Sequence, residues 1–326
     1  MKQIIGKLGL CLGVVACGSA TGAHNGASDG ATSAVSGSGG NGSGTSNTSG
    51  SGGHAGAATP LVFAVAGDSR PPFPDDMKGY PTTVVQQIFA RIAALKPKPS
   101  FVVGTGDYQY SDPWTGQAEQ QIDIYLNAAK AFSGPLYPAM GNHECNGLTT
   151  SNCGAGSANG TTAIYSAFLS KMLAPIGQTK PYYVVHVAAT DGSWTTKLVF
   201  IAANAWDAEQ ASWLDGALSE TTTYTFVIRH EPAAANTAPG VPPSEAIMAK
   251  HPYTLALTGH THTFKRSGPR EVIIGNGGAP LSDAVAYGFG LVTQRADGAI
   301  RVEMIDNKSG QSSLAFAVKP DGSAAQ

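Results

Sequence analysis

The feature that most constrains the fold of this chain is a set of five short apolar runs, each of which ends abruptly in acidic, amide or imidazole side chains. In four of the runs a glycine stands immediately before these side chains, which lets the backbone turn sharply off a strand. In α/β sheets such strand ends form the crevice in which ligands bind. The polar ends are Asp68, residues 107–110, residues 142–144, His230 and residues 260–262.

Amphipathic stretches separate the apolar runs, and the alternation from residue 60 to residue 318 predicts one α/β domain, which we assign to residues 59–326. In the first stretch, apolar residues recur at helical spacing from Val84 to Leu95. Predicted helices cover residues 84–95, 122–132, 163–173 and 209–218. Predicted strands cover residues 61–66, 101–105, 136–139, 182–187, 198–202, 225–228, 254–257, 272–274, 290–294 and 299–305.

The first 58 residues differ from the rest in composition. Residues 1–16 combine two lysines with an apolar run too short to span a bilayer, which is typical of a signal peptide. Small residues then precede Cys17, a pattern that resembles the bacterial lipobox, in which the cysteine receives a lipid. Residues 17–58 are almost wholly small and polar and predict a flexible tether that reaches about 35 Å. We therefore expect an exported, membrane-anchored lipoprotein in the periplasm or at the cell surface; an ordinary secretory signal is the alternative.

Two cysteines, Cys145 and Cys153, remain in the predicted folded part. In an oxidising exported compartment this pair predicts a disulfide that closes a short loop and contributes about 2 to 3 kcal/mol to stability. A zinc site is disfavoured because nothing nearby completes a set of four ligands.

The charge of the chain bears on its partners. The formal charge is −2, and loss of Lys2 and Lys7 with the signal peptide would make it −4, with charged residues forming only 13% of the chain. Because no cluster of lysine and arginine is present, nucleic acid is not expected as a partner.

In their order along the chain, the polar blocks resemble the ligand succession of the calcineurin-like metallophosphoesterases and, within them, of the purple acid phosphatases. Residues 106–110 match the family's Gly-Asp-x-x-Tyr, and residues 141–144 match Gly-Asn-His-Glu. Residues 227–230 match Val-x-x-His, and residues 259–262 match Gly-His-x-His. Residues 262–266 resemble the aromatic and basic stretch that follows the last block, with a solvated turn as the alternative. The resemblance implies an α/β sandwich of two mixed β-sheets flanked by helices, with a metal site at the strand ends.

The resemblance also implies two metal ions, roughly 3.5 to 4 Å apart, that supply a hydroxide at neutral pH and neutralise the charge of a phosphate ester. The first set of ligands would be Asp68, Asp107, Tyr110 and His262, and the second set would be Asp107, Asn142, His230 and His260. Oxygen ligands that include a phenolate suit Fe(III), whereas the second set suits Zn, Mn or Fe(II).

His143 is the histidine of these blocks that the resemblance leaves free of metal, and we expect it to be catalytic as a general acid. Glu144 or another nearby carboxylate would tune its imidazole. Asn142, His143 and Arg70 are the predicted substrate-binding residues. Arg70 is a departure from the family, because purple acid phosphatases usually have Asp-x-Gly where this chain has Asp68-Ser69-Arg70. We expect Arg70 either to grip a phosphate oxygen or to form a salt bridge at the rim of the site.

The predicted function is hydrolysis of phosphate monoesters by two metal ions, with a phosphate ester as substrate and the membrane contacted only through the lipid anchor. A phosphodiesterase would share every metal ligand, so it is the main alternative. A surface binding module without turnover is the second alternative, although retention of all seven ligands and His143 argues against it.

Overall fold

The computed structural model describes residues 59–283 and 285–326. The predicted signal peptide, the lipidated Cys17 and the tether up to residue 58 lie outside the described residues, and all three stay predictions. Within the described ranges, no helix combines the length and the apolar character that a membrane span requires.

The described residues form twelve strands and five α-helices. The strands are β1 (Val62–Ala66), β2 (Val102–Gly104), β3 (Leu136–Pro138), β4 (Tyr183–Ala188), β5 (Thr195–Ile201), β6 (Tyr224–Arg229), β7 (Leu255–Thr258), β8 (Phe264–Gly268), β9 (Glu271–Ile274), β10 (Gly288–Gln294), β11 (Ile300–Asp306) and β12 (Ser312–Val318). The helices are α1 (Thr82–Ala94), α2 (Ala118–Ala129), α3 (Ala163–Phe168), α4 (Ala208–Ser219) and α5 (Val241–Met248). Shorter helical turns lie at Asn142–Glu144, Leu169–Leu173, Ala174–Ile176 and Ala203–Ala205.

The strands form two mixed sheets of six strands each, which confirms the predicted fold class. The first sheet has the order β12-β11-β10-β1-β2-β3, with β1, β2 and β3 parallel to one another. The second has the order β4-β5-β6-β7-β9-β8, with β5, β6, β7 and β9 parallel and the two outer strands antiparallel. Because parallel neighbours end on the same side of a sheet, the predicted polar blocks that follow β1, β2 and β3 lie close together, as do those that follow β6 and β7.

The contact between the sheets is aromatic at its centre. Phe63 of the first sheet is fully buried, stacks on Phe101 at 4.9 Å between ring centroids, and meets Phe226 of the second sheet edge-on at 5.1 Å. Such aromatic pairs stabilise the burial of both rings, so this contact helps to hold the two sheets together.

Helices cover the outer surfaces of the sheets. In α1 the buried residues Val85, Ile88, Phe89 and Ile92 form one face at helical spacing, as predicted. In α4, Leu214 and Leu218 join Val199, Ile201 and Val227 of the second sheet in a separate apolar cluster. The layers are therefore helix, sheet, sheet and helix.

Three elements escaped the sequence analysis: β8, β12 and α5. The first two are outer strands with mostly exposed side chains, so they lack the apolar runs that mark central strands. Residues 264–268 thus form an edge strand, and the alternative of a solvated turn was wrong. Helix α5 begins Val241-Pro242-Pro243, and prolines are tolerated only in the first turn of a helix, where they mask its pattern in the sequence.

The position of Phe63 yields a prediction for stability. Phe63→Ala should lower the free energy of unfolding by about 3 to 5 kcal/mol, because it leaves a cavity between the sheets. Urea unfolding of the full chain measures this change. The matched control is Phe73→Ala, since Phe73 is 67% exposed, and its change should stay within about 0.5 kcal/mol. Equal effects of the two substitutions would contradict the placement of Phe63 at the centre of the sandwich.

Candidate metal centre

The strand ends hold the predicted ligands in an unusual backbone conformation. Among the described residues, five non-glycine residues have a positive φ, and four of them are predicted ligands: Asp68 (57°), Asp107 (58°), His260 (70°) and His262 (45°). This left-handed region is unfavourable for residues with a Cβ and persists only where the surrounding structure enforces it. Backbone hydrogen bonds enforce it here, since the amides of Asp68 and Ser69 each donate at 2.9 Å, to the carbonyls of Gly106 and Asp107 respectively.

The glycines beside these ligands serve close packing more than flexibility. A Cβ at Gly141 would collide with the Asp107 carboxylate, and one at Gly259 would collide with the carboxylate of Asp68. Only Gly106 among the four glycines that precede a block has a positive φ, at 106°. Sharp turns were predicted at all four glycines, and in the structure two of the four also make room for carboxylates.

The second predicted set of ligands comes together closely. Asp107 Oδ1 lies 3.2 Å from His230 Nε2, which lies 3.2 Å from Asn142 Oδ1 and 3.3 Å from His260 Nδ1. His260 Nδ1 and Asn142 Oδ1 are 3.0 Å apart. Two donors come from the end of the first sheet and two from the end of the second. The other three predicted residues of this set therefore all lie within 3.3 Å of His230 Nε2.

Neighbouring backbone carbonyls orient two side chains of this set toward the other donor atoms. His230 Nδ1 lies 2.7 Å from the Thr105 carbonyl, which can only accept, so Nδ1 carries a proton and donates it there. The Asn142 side-chain amide donates at 2.7 Å to the Gly147 carbonyl, which turns its oxygen toward the histidines. Ligand distances of about 2.0 to 2.2 Å give a tetrahedral site with edges of about 3.4 Å. The spacing and the chemistry of the four donors therefore fit a divalent cation.

The charges of the set agree with this fit. Burial lowers the pKa of His230, but the neighbouring carboxylates, Asp107 foremost, more than offset burial and raise that pKa well above its ordinary value. Burial would raise the pKa of Asp107, yet the imidazoles of His230 and His143 and the guanidinium of Arg70 bring it well below its usual range. The pocket thus favours positive charge at His230, which a cation would supply in place of a proton.

Three of the four predicted residues of the first set also come together, but Arg70 lies among them. Ligand atoms of Asp68, Asp107 and His262 all lie within 4.8 Å of one another, and Asp68 Oδ1 is 3.6 Å from His262 Nε2. Tyr110 is half-buried beside them, with its ring 4.3 Å from that of His143. Arg70 lies among these residues, with its guanidinium carbon 4.8 Å from the centroid of the Tyr110 ring. The first set therefore fits a metal ion less well than the second, because a cationic side chain is already present.

Arg70 points into the site and does not form a salt bridge at its rim. Its side chain is only 15% exposed, its Nε lies 3.6 Å from Asp107 Oδ2, and its Nη1 donates to the Pro71 carbonyl at 3.1 Å. The ion pair that Arg70 makes is therefore with the buried Asp107 inside the site, and its contact with a phosphate oxygen stays a prediction. The orientation is compatible with contact to a phosphate oxygen.

His143 is buried next to the shared carboxylate. Its backbone amide donates to Asp107 Oδ1 at 3.2 Å, and its Nε2 lies 3.9 Å from Asp107 Oδ2. Burial lowers the pKa of His143 to about 3, which favours the neutral imidazole. Because Asp107 Oδ2 lies 3.9 Å from His143 Nε2, Asp107 supplies the carboxylate beside this imidazole.

Glu144 has a different task from the predicted tuning of His143. Its carboxylate accepts hydrogen bonds from the backbone amides of Asp107, Tyr108 and Gly141 at 2.8 to 2.9 Å. These contacts tie the second polar block to the third and fix the position of Asp107. The role of Glu144 is therefore to fix the backbone of the site rather than to tune the imidazole of His143.

The structure joins Cys145 and Cys153 in a disulfide, as predicted, with 5.5 Å between their Cα atoms. The loop between them reaches the second set, because Thr149 Oγ1 lies 3.4 Å from His260 Nε2. The side-chain amide of Asn204 donates to the carbonyls of Thr149 and Ser151 at 2.8 Å and fixes this loop. The disulfide thus stabilises one wall of the site.

Glu231 is a further candidate residue that was not predicted from the sequence. It is fully buried beside His230, and neither oxygen of its carboxylate has a hydrogen-bond partner. It can join His230 and His260 as a group that could hold a metal ion. An acidic residue directly after a predicted ligand was the available signal, but Glu231 lies outside the four blocks of the resemblance.

Comparisons with known proteins agree with this geometry. A family model described as calcineurin-like phosphoesterase matches residues 63–264, whereas a comparison with curated proteins found no significant match. A purple acid phosphatase from yellow lupin (Lupinus luteus) seeds superimposes with a TM-score of 0.57 at 15% identity, over 81% of this chain and 54% of the lupin chain. This chain thus spans about half the length of the lupin enzyme.

Two further solved structures share the fold. A dimetal phosphatase from Danio rerio has a TM-score of 0.53 at 12% identity, over 80% of this chain and all of its own. The anchor in the inner membrane complex of Plasmodium also has a TM-score of 0.53, at 13% identity, over 82% of this chain and 90% of its own. Since the family model covers more than half of the 326 residues, the chain belongs to the calcineurin-like phosphoesterases, a family of metal-dependent phosphoester hydrolases that bind two metal ions.

Proposed function

We propose that this protein hydrolyses phosphate monoesters in a metal-dependent reaction. The observation that carries the proposal is the convergence of four metal donors, Asp107, Asn142, His230 and His260, with a buried histidine and a guanidinium beside them. A group of this kind combines charge neutralisation with a proton donor, and ester hydrolysis needs both.

When bound, metal ions supply a hydroxide at neutral pH and neutralise the phosphate. The side chains of this protein supply the remaining functions. Asn142 and His143 adjoin in sequence; the Asn142 side chain meets His230, and the His143 imidazole lies 3.9 Å from Asp107 Oδ2, so a phosphate bound between them would contact both. His143 would hold a proton at Nε2 for the leaving oxygen, and the negative charge of the bound phosphate counteracts the burial that lowers the pKa of this imidazole.

Arg70 favours a monoester over a diester. A monoester carries up to two negative charges and three free oxygens, whereas a diester carries one charge and two free oxygens. A partly buried guanidinium with its donors fixed in a fork stabilises the more highly charged phosphate more strongly. A phosphodiesterase remains the alternative that shares the same donors.

The proposed metals follow from the donor types. Zn, Mn or Fe(II) suits the second set, which has two imidazoles and two oxygen donors. Fe(III) is the ion that the resemblance implies for the first set, through the phenol of Tyr110 as a phenolate, but Arg70 lies among those residues and disfavours it. A non-catalytic binding module is the other alternative, because the fold is shared with a Plasmodium protein described as an anchor. The intact donor sets and His143 favour turnover.

The test compares His143→Ala with the wild-type chain in turnover of p-nitrophenyl phosphate and of bis-p-nitrophenyl phosphate. We expect the wild type to prefer the monoester and to lose activity with a chelator. The variant should retain its metal content, but its kcat should fall by a factor of about 10² to 10⁴ because the proton donor is gone.

The matched control is His186→Ala, since His186 lies on β4 and pairs with Glu220 at 2.9 Å, in no contact with either donor set. It should keep wild-type kcat. Faster turnover of the diester would replace the monoesterase with a phosphodiesterase. Bound metal without turnover of either ester would establish a binding module instead.

We further propose that the protein is exported and anchored by a lipid on Cys17, with residues 17–58 as the tether. The support is the sequence pattern around Cys17 and the composition that follows it. The predicted disulfide, which the structure contains, is consistent with an oxidising compartment.

Cys17→Ser tests the anchor in a bacterial host. We expect the variant to lose incorporation of radiolabelled palmitate and to leave the membrane fraction, because a serine cannot form the thioether. Cys11→Ser, which changes the other cysteine near the N-terminus, should leave both properties unchanged. Membrane association that survives Cys17→Ser would rule out the lipid anchor.

A further inference from the structure

Arg70 occupies the part of the site that the resemblance assigns to the first metal ion. Its Nη2 lies 3.4 Å from His262 Nε2, its Nε lies 3.6 Å from Asp107 Oδ2, and its guanidinium stacks over the Tyr110 ring. Three of the four predicted ligands of the first ion therefore contact this one side chain. Nothing comparable intrudes on the second set among the described residues.

The proton positions show what Arg70 does there. His262 Nδ1 lies 2.8 Å from the Pro280 carbonyl, which only accepts, so Nδ1 carries the proton and Nε2 carries the lone pair. That lone pair faces Arg70 Nη2, whose N–H groups can donate but not accept. The electron pair that would coordinate a metal thus accepts a hydrogen bond instead.

The two oxygens of the shared Asp107 carboxylate have different partners. Asp107 Oδ1 faces His230 of the second set at 3.2 Å, whereas Oδ2 faces the guanidinium at 3.6 Å. A metal ion in the first set would lie within a few ångströms of a permanent cation in a buried site, where like charges repel strongly. The oxygen that would complete a bridge between two metals already has a cationic partner.

We infer that Arg70 takes the place of the first metal ion, so that the protein holds one tightly bound metal, in the second set. This inference rests on the proposed function only for the metal in that set. The guanidinium supplies fixed positive charge and N–H donors where relatives of the purple type would have a metal ion. A phosphate ester would then bind between one metal ion and one arginine.

The experiment measures metal content and absorption of the full chain in mild detergent. Each protein is equilibrated with Zn²⁺, freed of excess metal, and analysed by mass spectrometry. We expect about one zinc ion per wild-type chain and about two per Arg70→Ala chain, because the substitution frees Asp107 Oδ2, His262 and Tyr110. Loaded with iron, Arg70→Ala should show a broad tyrosinate-to-iron absorption band that the wild type lacks.

The matched control is Arg266→Ala, since Arg266 is exposed on β8, its guanidinium packs over the Phe316 ring, and it donates to the carbonyls of Gly268 and Pro269. It should bind as much zinc as the wild type. Two zinc ions per wild-type chain would overturn the inference even if Arg70→Ala failed to fold, and would leave the proposed hydrolysis intact. One zinc ion without turnover of any phosphate ester would uphold the inference and overturn the proposed function, and no bound zinc would overturn both.

Discussion

The site depends above all on the buried carboxylate of Asp107. One oxygen faces the histidine from the second sheet, and the other faces the guanidinium of Arg70. The residue has a left-handed backbone, and Glu144 accepts its amide hydrogen at 2.9 Å. Because two cationic partners and the backbone contacts share this one carboxylate, a shift of Asp107 would disturb both donor sets at once. Glu144 and the glycines around Asp107 fix the position of this residue.

That rigidity has an energetic basis in the sandwich. Left-handed conformations at Asp68, Asp107, His260 and His262 each cost of the order of 1 to 3 kcal/mol. The packed aromatic contact of Phe63 and Phe226 and the paired strand ends offset this cost. The strained residues therefore lie where the fold can sustain them and where ligand geometry has to be fixed before any metal or substrate arrives.

Much of this was predictable because the ligands follow apolar strands, and apolar strands leave a clear pattern in a sequence. The central strands, four of the helices and the convergence of both donor sets follow from that pattern together with the family resemblance. The outer strands β8 and β12 could not be predicted, since exposed edges need no apolar run. The placement of Arg70 against His262 joins residues 192 positions apart, and only the folded chain shows that it lies on the ligands.

The second donor set has a consequence for folding as well as for chemistry. Asp107 and Asn142 follow strands of one sheet, whereas His230 and His260 follow strands of the other, so a bound ion joins the two sheets across their common edge. An unfolded chain presents no such arrangement, and ion binding therefore stabilises only the native state. At a free ion concentration 100 times the dissociation constant, this linkage contributes about 2.7 kcal/mol. A metal ion bound there would thus act as a reversible cross-link between the sheets, and the supply of metal in the surroundings would set the stability of the native state.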